Sequence, residues 1–301
     1  MQEYGPMWQK IKIGVIAFSG ALVLSMNATA ASAKINDDNT ILWAGCGITK
    51  KAFMAELAQA YEAKTGIKIE LQGGGATRGI RDAAGHKVDI GGSCRMNLPG
   101  VERSELHASL HPVAWDALAI IINKKNPVNN ITTEQVKAMY LGKLKNWSEL
   151  GGPDAPIKLY VRRGKYSGVG YAIRQYIFKD GAIEFVSDNV VKSSGPLEKA
   201  VEKDLLAVGI TGISSARKRD VKVIGFDGKS PTYENVSNGS YGLYRPLYLV
   251  TSPNPSKKVK DFIAFARSEE GRKVMRANQT VPYKDAPHLM SKMLIYGFDV
   301  Q

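Results

Sequence analysis

Apolar residues along the chain alternate between strand-like runs and helix-like faces. Short apolar or alternating runs predict strands at residues 40–43, 67–71, 88–90, 112–123, 157–161, 205–209, 221–226 and 244–250. Apolar faces at helical spacing predict helices at residues 51–64, 77–84, 132–141, 170–178, 259–266 and 269–277. Strands separated by helices predict an α/β fold of mainly parallel sheets with crossover helices.

The chain has 301 residues, of which 44% are hydrophobic and 23% charged. These proportions are ordinary for a globular protein. A chain of this length usually divides into two lobes, because a single hydrophobic core stops growing at about 250–300 residues.

The first residues have the pattern of a secretory signal peptide. Two lysines precede the apolar run 13–26, and small-x-small cleavage patterns follow at 28–30 and 31–33. We therefore expect residues 1–33 to be removed on export. No cysteine lies near the cleavage site, so we expect a soluble periplasmic protein without a lipid anchor.

The net charge of +13 attracts anions of any kind. A nucleic-acid partner is not expected, because the chain has no long Lys/Arg run, no RNA-binding aromatic signature and no zinc-finger spacing. Small anions fit an exported protein better. An anionic surface or polyanion held by charge alone is the alternative.

Motifs for catalysis, metals and cofactors are missing from the sequence. There is no HExxH pattern, no GxSxG elbow and no Walker loop. We expect no catalytic residues, no metal and no cofactor. An exported phosphoester hydrolase would need a metal-ligand set or a nucleophile with its base, so it is disfavoured.

Three glycine-containing loops follow the first three predicted strands, at residues 45–50, 72–79 and 91–95. In open α/β sheets, ligands bind beyond the carboxyl ends of the strands. Glycine lets backbone N–H groups approach a small anion closely. Three tight turns of no functional meaning are the alternative for any one loop. Together, they favour an anion cleft.

A fourth loop, in the second half of the chain, adds charge and a hydroxyl. The strand 157–161 runs through a glycine-containing turn to Ser167 and Gly168 at a helix start, where free N–H groups favour anions. Ser167 can either cap the helix or donate its hydroxyl to an anion. Arg163 can offer a guanidinium fork to an oxyanion. An ordinary strand–turn–helix is the alternative.

With these motifs, nearly the whole mature chain resembles the periplasmic phosphate-binding proteins of ABC transporters. The motifs are GCGIT at 45–49, QGGGAT at 72–77, VDIGGS at 88–93, LGKLKNW at 141–147, RGKYSG at 163–168, YGLYRPLY at 241–248 and FIAFARSEEG at 262–271. The resemblance implies a type II binding-protein fold with two lobes and a hinge of crossing strands. It also implies that the protein closes on an oxyanion and presents it to a membrane permease.

The resemblance further implies a discontinuous first lobe, residues 34–115 plus 245–301, and a second lobe, residues 116–244. Each lobe would be a mainly parallel sheet flanked by helices. Hinged binding lobes need no partner subunit, so we expect a monomer.

The family's ligand positions carry over unevenly. Thr49 matches a hydroxyl donor of the first loop, whereas Ala76 and Val169 leave only backbone N–H groups where the family has Ser and Thr. The candidate anion-binding residues are Thr49, Lys50, Ala76, Thr77, Arg78, Cys94, Arg95, Arg163, Ser167, Gly168 and Val169.

Cys94 stands where many members have an Asp, and Lys50, Arg78 and Arg95 add positive charge nearby. These departures suggest that the site tolerates a fully ionised or larger oxyanion. Phosphate remains the leading ligand, with sulfate, thiosulfate or molybdate as alternatives. A sensor or scavenger of the same anion is the alternative to a transport role.

The chain's two cysteines, Cys46 and Cys94, follow the first and third predicted strands. In the family's sheet order these strands are neighbours, about 4.8 Å apart. The sequence leaves open whether they form a disulfide or remain two free thiols in the cleft.

Overall fold

The strands of the computed structural model form one mixed sheet and a separate two-stranded ladder. The model describes residues 39–296, so the predicted signal peptide lies outside the described residues. The strands are β1 Thr40–Gly45, β2 Lys68–Gln72, β3 Ile90–Ser93, β4 Ser109–Ile122, β5 Asn130–Ile131, β6 Lys158–Arg162, β7 Asn189–Val191, β8 Ala207–Gly212, β9 Lys222–Val223, β10 Gly225–Phe226, β11 Tyr244–Thr251 and β12 Val281–Pro282.

Helices connect most of these strands. They are α1 Gly47–Thr49, α2 Ala55–Thr65, α3 Gly75–Ala84, α4 Thr133–Tyr140, α5 Gly168–Ile173, α6 Ser194–Lys203, α7 Ile213–Ala216, α8 Tyr233–Ser237, α9 Lys257–Arg267, α10 Glu269–Ala277 and α11 His288–Tyr296. Two π-helical segments, Lys50–Met54 and Arg174–Phe178, continue α1 into α2 and extend α5. Short 3-10 turns occupy Arg103–Glu105, Trp147–Leu150 and Tyr283–Asp285.

The sheet runs in the order β2-β1-β3-β11-β4-β8-β6-β7. At one end β2, β1 and β3 are parallel, and at the other end β7, β6 and β8 are parallel. The antiparallel pair β11 and β4 lies between these two groups. The chain therefore forms two α/β lobes joined through a pair of crossing strands, as predicted.

Strand β4 changes partner part-way along its length. Ala117 pairs with Tyr244 of β11, and the next residue, Leu118, pairs with Gly212 of β8. This change lies close to the predicted lobe boundaries at 115/116 and 244/245. The division in residue numbers stays a prediction.

Two elements differ from the sequence-based expectation near the loops. The first helix begins at Gly47 rather than at 51, because the Cys46 side chain caps it and accepts from the Thr49 N–H. Strand β3 covers Ile90–Ser93 rather than 88–90. Both shifts bring residues predicted to lie in loops onto ordered elements.

Two predicted helices are confirmed, and the residues at their ends explain where they start or stop. Thr132 and Gln135 form the reciprocal capping box that starts α4. Gly66 ends α2 with a left-handed φ of 74°, a conformation that glycine adopts without steric cost. The predicted strand 221–226 is instead two short strands, β9 and β10, which pair with β4 and β5 respectively.

Helix α3 packs so closely on β1 and β3 that its contacts include glycines against backbone atoms. A Cβ on Gly91 would lie 2.0 Å from the Gly79 carbonyl oxygen, and one on Gly79 would lie 2.6 Å from that of Gly92. The glycines therefore set how close the helix lies to the strands whose ends carry the loops. Within residues 39–296, no helix has the length and apolar character needed to span a bilayer.

This close approach predicts that Gly91→Ala destabilises the fold by about 1–3 kcal/mol, since the helix must move away from the sheet. Urea unfolding measures the change. Gly100→Ala is the control, because nothing lies within 4 Å of its added Cβ. Equal stability of the two variants would contradict the packing argument.

Candidate anion-binding site

The centre of the site is a charged pair on the crossing strands. Arg245 of β11 stands opposite Asp116 of β4 in the antiparallel register, and both side chains are buried. Arg245 Nη2 lies 3.5 Å from Asp116 Oδ2. Burial raises the pKa of Asp116, and the Arg245 charge opposes this rise.

Asp116 and Arg245 each bind the second lobe as well. Asp116 Oδ1 accepts hydrogen bonds from the backbone N–H and the hydroxyl of Ser214, at 3.2 and 2.9 Å. Arg245 Nη1 donates to the carbonyl oxygen of Gly168, at 3.2 Å. The pair thus connects the hinge strands to the start of α5 and to α7.

The first lobe contributes two thiols and a hydroxyl. Cys46 Sγ lies 2.7 Å from Thr49 Oγ1 and accepts from the Thr49 N–H at 3.3 Å. Cys46, Thr49 and Cys94 are all buried. Both cysteines are free thiols in this structure.

Cys94 is the more acidic of the two thiols. A hydrogen bond from Cys46 lowers the pKa of Cys94 to about 6, burial opposes this, and the charges of Arg245 and Arg162 support it. Burial raises the pKa of Cys46 well above its usual range. The opposite directions of the two shifts make Cys46 the hydrogen-bond donor and Cys94 the acceptor of the pair.

The second lobe presents the start of α5. Ser167 has the extended backbone of an N-cap, yet its side chain makes no capping hydrogen bond. Gly168 packs against the first lobe, since a Cβ placed on it would lie 2.3 Å from Cys94 Sγ and 3.2 Å from Ala76 Cβ. Val169 follows and is buried.

The arginine that reaches the site is Arg162, not the predicted Arg163. Strand β6 ends at Arg162 and the chain turns at Gly164, whose φ is +81°, which leaves Arg163 exposed. Arg162 Nη1 donates to Ser194 Oγ at 2.8 Å. A Cβ placed on Gly170 would lie 2.6 Å from Ser167 Oγ and 3.5 Å from Arg162 Cβ, so Arg162 and Ser167 lie against the same turn of α5.

Arg95 and Thr77 hold the lobes together rather than presenting free donors. Arg95 is buried, forms a two-point ion pair with Glu105 at 2.7 and 2.8 Å, and donates to the Tyr166 carbonyl oxygen at 2.9 Å. Thr77 Oγ1 donates to the same carbonyl oxygen at 3.3 Å. The predicted positive charge of Arg95 is thus neutralised by Glu105.

The other two predicted cations are Arg78 and Lys50. Arg78 is exposed and folds back onto its own loop, where it bonds Gln72, Gly73 and Asp82. Lys50 is partly exposed at the start of the π-helical segment. Its neighbour Lys51 instead reaches the second lobe, where Nζ donates to Ser215 Oγ at 2.7 Å.

Unpartnered polar atoms concentrate at this place. Within residues 39–296, ten buried side-chain nitrogen or oxygen atoms lack a hydrogen-bond partner, and five of them belong to this site. The five are Asp116 Oδ2, Arg162 Nε, Ser167 Oγ, and Nε and Nη2 of Arg245. Arg245 Nη2 and Asp116 Oδ2 face each other as an ion pair at 3.5 Å, and the other three atoms have no partner. Unpartnered buried polar groups are costly, so these donors indicate a place built for an acceptor-rich ligand.

Sequence reasoning missed Arg162, Asp116 and Arg245. Asp116 and Arg245 are isolated charges within long apolar runs, a pattern that predicts buried and paired groups. That signal was present in the chain. Arg162 could not be separated from Arg163 without the end of β6. No group of three or more His, Cys, Asp or Glu within the described part of the chain could hold a metal ion.

The chain is similar in sequence to several named proteins. The family model of the PBP superfamily domain matches residues 36–270. The phosphate-binding protein PstS of Bacillus subtilis is 26% identical over 256 residues, which cover 84% of this chain and 83% of that protein. PstS of Borreliella burgdorferi is 27% identical over 252 residues, covering 80% and 90%.

Solved structures show the same fold. A phosphate ABC transporter substrate-binding protein from Clostridium perfringens, with bound phosphate, has a TM-score of 0.74 and 29% identity, and the match covers 81% of this chain and 99% of that chain. An ABC-type phosphate transport receptor from Vibrio cholerae has a TM-score of 0.62 and 28% identity, covering 80% and 99%. The predicted two-lobed binding-protein fold is confirmed.

The charge at Cys94 can be measured directly. We expect the thiolate ultraviolet absorbance of the reduced protein to rise by one group as the pH increases through about 6, because the lowered pKa favours the charged form. Cys94→Ser should remove this step, whereas Cys46→Ala should shift it upward by deleting the hydrogen bond from Cys46. A first thiolate that forms only near the ordinary thiol pKa of about 8.5 would contradict the assignment.

Proposed function

The chain belongs to the PBP superfamily, and from that premise we propose that it is an exported binding protein for phosphate or a related tetrahedral oxyanion. It captures the anion between its two lobes and delivers it to an ABC transporter permease. The named relatives bind phosphate. In this proposal residues 1–33 are cleaved, and the mature protein works as a soluble periplasmic monomer without a lipid anchor.

The observation that carries the proposal is the group of unused, buried donors at the crossing strands. Arg245 contributes two unpartnered N–H-bearing nitrogens, Arg162 one, and Ser167 a hydroxyl. Guanidinium groups match the spacing of oxyanion oxygens and bind them more strongly than neutral donors do. A tetrahedral oxyanion has enough acceptor oxygens to bind all of these donors at once.

The lobe positions explain how binding and closure are coupled. Arg245 lies on a strand of the hinge, whereas Arg162 and Ser167 lie in the second lobe, and Thr49 and Cys94 lie in the first. An anion bound between the lobes can therefore be contacted by groups from both. Closing on it replaces the anion's water shell with fixed donors, which is the usual logic of hinge closure.

A fully ionised oxyanion such as sulfate is a specific alternative ligand. The acceptors near the donors are Asp116, whose Oδ1 is bound by Ser214 and whose Oδ2 faces Arg245, and the Cys94 sulfur. The site is therefore richer in donors than in acceptors, a balance that suits an anion without a proton. We propose binding rather than catalysis for either ligand.

Replacing Arg162 should weaken anion binding strongly. We expect Arg162→Met to raise the Kd for phosphate more than tenfold, since losing a buried charge partner costs about 2–5 kcal/mol. Isothermal titration measures the change. Arg163→Met is the matched control and should leave the Kd nearly unchanged, because that side chain is exposed. The reverse order of effects would restore Arg163 to the site.

Removing the Ser167 hydroxyl should affect binding and not stability. Ser167→Ala deletes an oxygen without a partner in the fold, so the unfolding midpoint should not fall. The Kd for phosphate should rise by the value of one hydrogen bond to a charged group, ~1.5–3 kcal/mol, or about tenfold or more. A stability loss with unchanged affinity would show that Ser167 is only a structural cap.

A further inference from the structure

The two thiols meet at the ends of neighbouring strands. Strands β1 and β3 are parallel, with Gly45 opposite Gly92, and the Cys46 N–H donates to the Gly92 carbonyl oxygen at 3.1 Å. The Cys46 and Cys94 side chains hydrogen-bond one another. In this register Ser93 stands opposite Cys46, so Cys94 lies one residue further along. A diagonal of about 5.8 Å between the two Cα atoms is within the range that a disulfide spans.

The pair lies inside the candidate anion site. Cys94 Sγ packs on Gly168 at the start of α5, and Arg245 Nη1 donates to the carbonyl oxygen of the same residue at 3.2 Å. A sulfur anion at this position supplies negative charge where the bound anion would need positive charge. Asp116 is the other acidic group facing it.

We propose that Cys46 and Cys94 are a redox-active dithiol, and that closing their disulfide raises the affinity of the site for fully ionised oxyanions. This inference rests on the proposed anion-binding function. The thiol form holds two arginines against two negative groups, Asp116 and Cys94. The disulfide form loses one of those negative charges and keeps both arginines.

The oxidation proceeds by ordinary thiol–disulfide exchange with a small or protein disulfide as oxidant. The Cys94 thiolate attacks one sulfur of the oxidant, forms a mixed disulfide and releases one thiolate. Cys46 then loses its proton and attacks the Cys94 sulfur, and the second oxidant thiol leaves. Two electrons pass to the oxidant, one S–S bond forms in the protein, and one S–S bond of the oxidant is broken.

The disulfide also changes the donor at the first helix. In the thiol form, Thr49 Oγ1 lies 2.7 Å from Cys46 Sγ, so its hydroxyl has a partner. A disulfide sulfur is a poorer acceptor than the hydrogen-bonded thiol. Oxidation therefore releases the Thr49 hydroxyl for the anion at the same time as it removes the charge of Cys94.

The first test asks whether the bond forms. The mature protein is treated with oxidised glutathione, and its intact mass and its thiol count after unfolding are measured. We expect the loss of two hydrogen atoms and of both thiols, without a glutathione adduct. Retention of two thiols, or a stable glutathione adduct, would overturn the proposal.

The second test measures affinity in each redox form. Sulfate and phosphate are titrated by calorimetry into reduced and oxidised protein at about pH 8, where Cys94 is charged. We expect oxidation to tighten sulfate binding by about tenfold or more, since one nearby negative charge is lost. Cys46→Ser is the control, and its reduced and oxidant-treated forms, stripped of any adduct, should bind sulfate equally.

The outcomes separate the two proposals. Phosphate bound equally by both forms, with sulfate affinity unchanged by oxidation, would overturn the redox inference and leave the proposed function intact. Failure of both anions to bind any form would overturn the proposed function, and with it the predicted gain in affinity. A gain of the same size in Cys46→Ser would assign the effect to the oxidant and overturn the inference.

Discussion

The structure depends on a salt bridge buried where the chain crosses between lobes. Arg245 and Asp116 face each other on β11 and β4, the strands through which the two lobes share one sheet. Burying a charge is costly unless it is paired and hydrogen-bonded. Here the pairing is incomplete, because two nitrogens of Arg245 and one oxygen of Asp116 have no hydrogen bond. The fold therefore buries, at its hinge, a guanidinium group with unmet hydrogen-bonding capacity.

Each lobe contributes a different set of polar groups to the candidate site around Arg245 and Asp116. The second lobe offers Arg162 and Ser167 at the end of a strand and the start of a helix. The first lobe offers Thr49 and a pair of thiols. Arg95, which links the lobes through the Tyr166 carbonyl oxygen, is neutralised by Glu105. Arg245 and Arg162, in contrast, keep side-chain nitrogens without a hydrogen bond.

Much of the fold could be read from the chain, because periodicity and capping residues act locally. The capping box at Thr132 and the glycine end of α2 are examples. Which arginine reaches the site depends on where β6 ends. That boundary is set by packing, so the sequence pattern alone could not fix it. The roles of Arg95 and Arg78 depended on partners such as Glu105 and Gln72, which only the three-dimensional fold places beside them. Asp116 and Arg245 are visible in the sequence as single charges within apolar runs. That they pair with each other could be known only from the register of β4 against β11.

The central claim is that the hinge arginine and the second lobe bind one anion together. A crystal structure of the mature protein grown with phosphate tests this most directly. The account predicts one tetrahedral anion between the lobes, within hydrogen-bond distance of Arg245, Arg162 and the Ser167 hydroxyl. An anion held by Arg163 and the loop at 72–79, with Arg245 still bound only to Asp116 and Gly168, would contradict it.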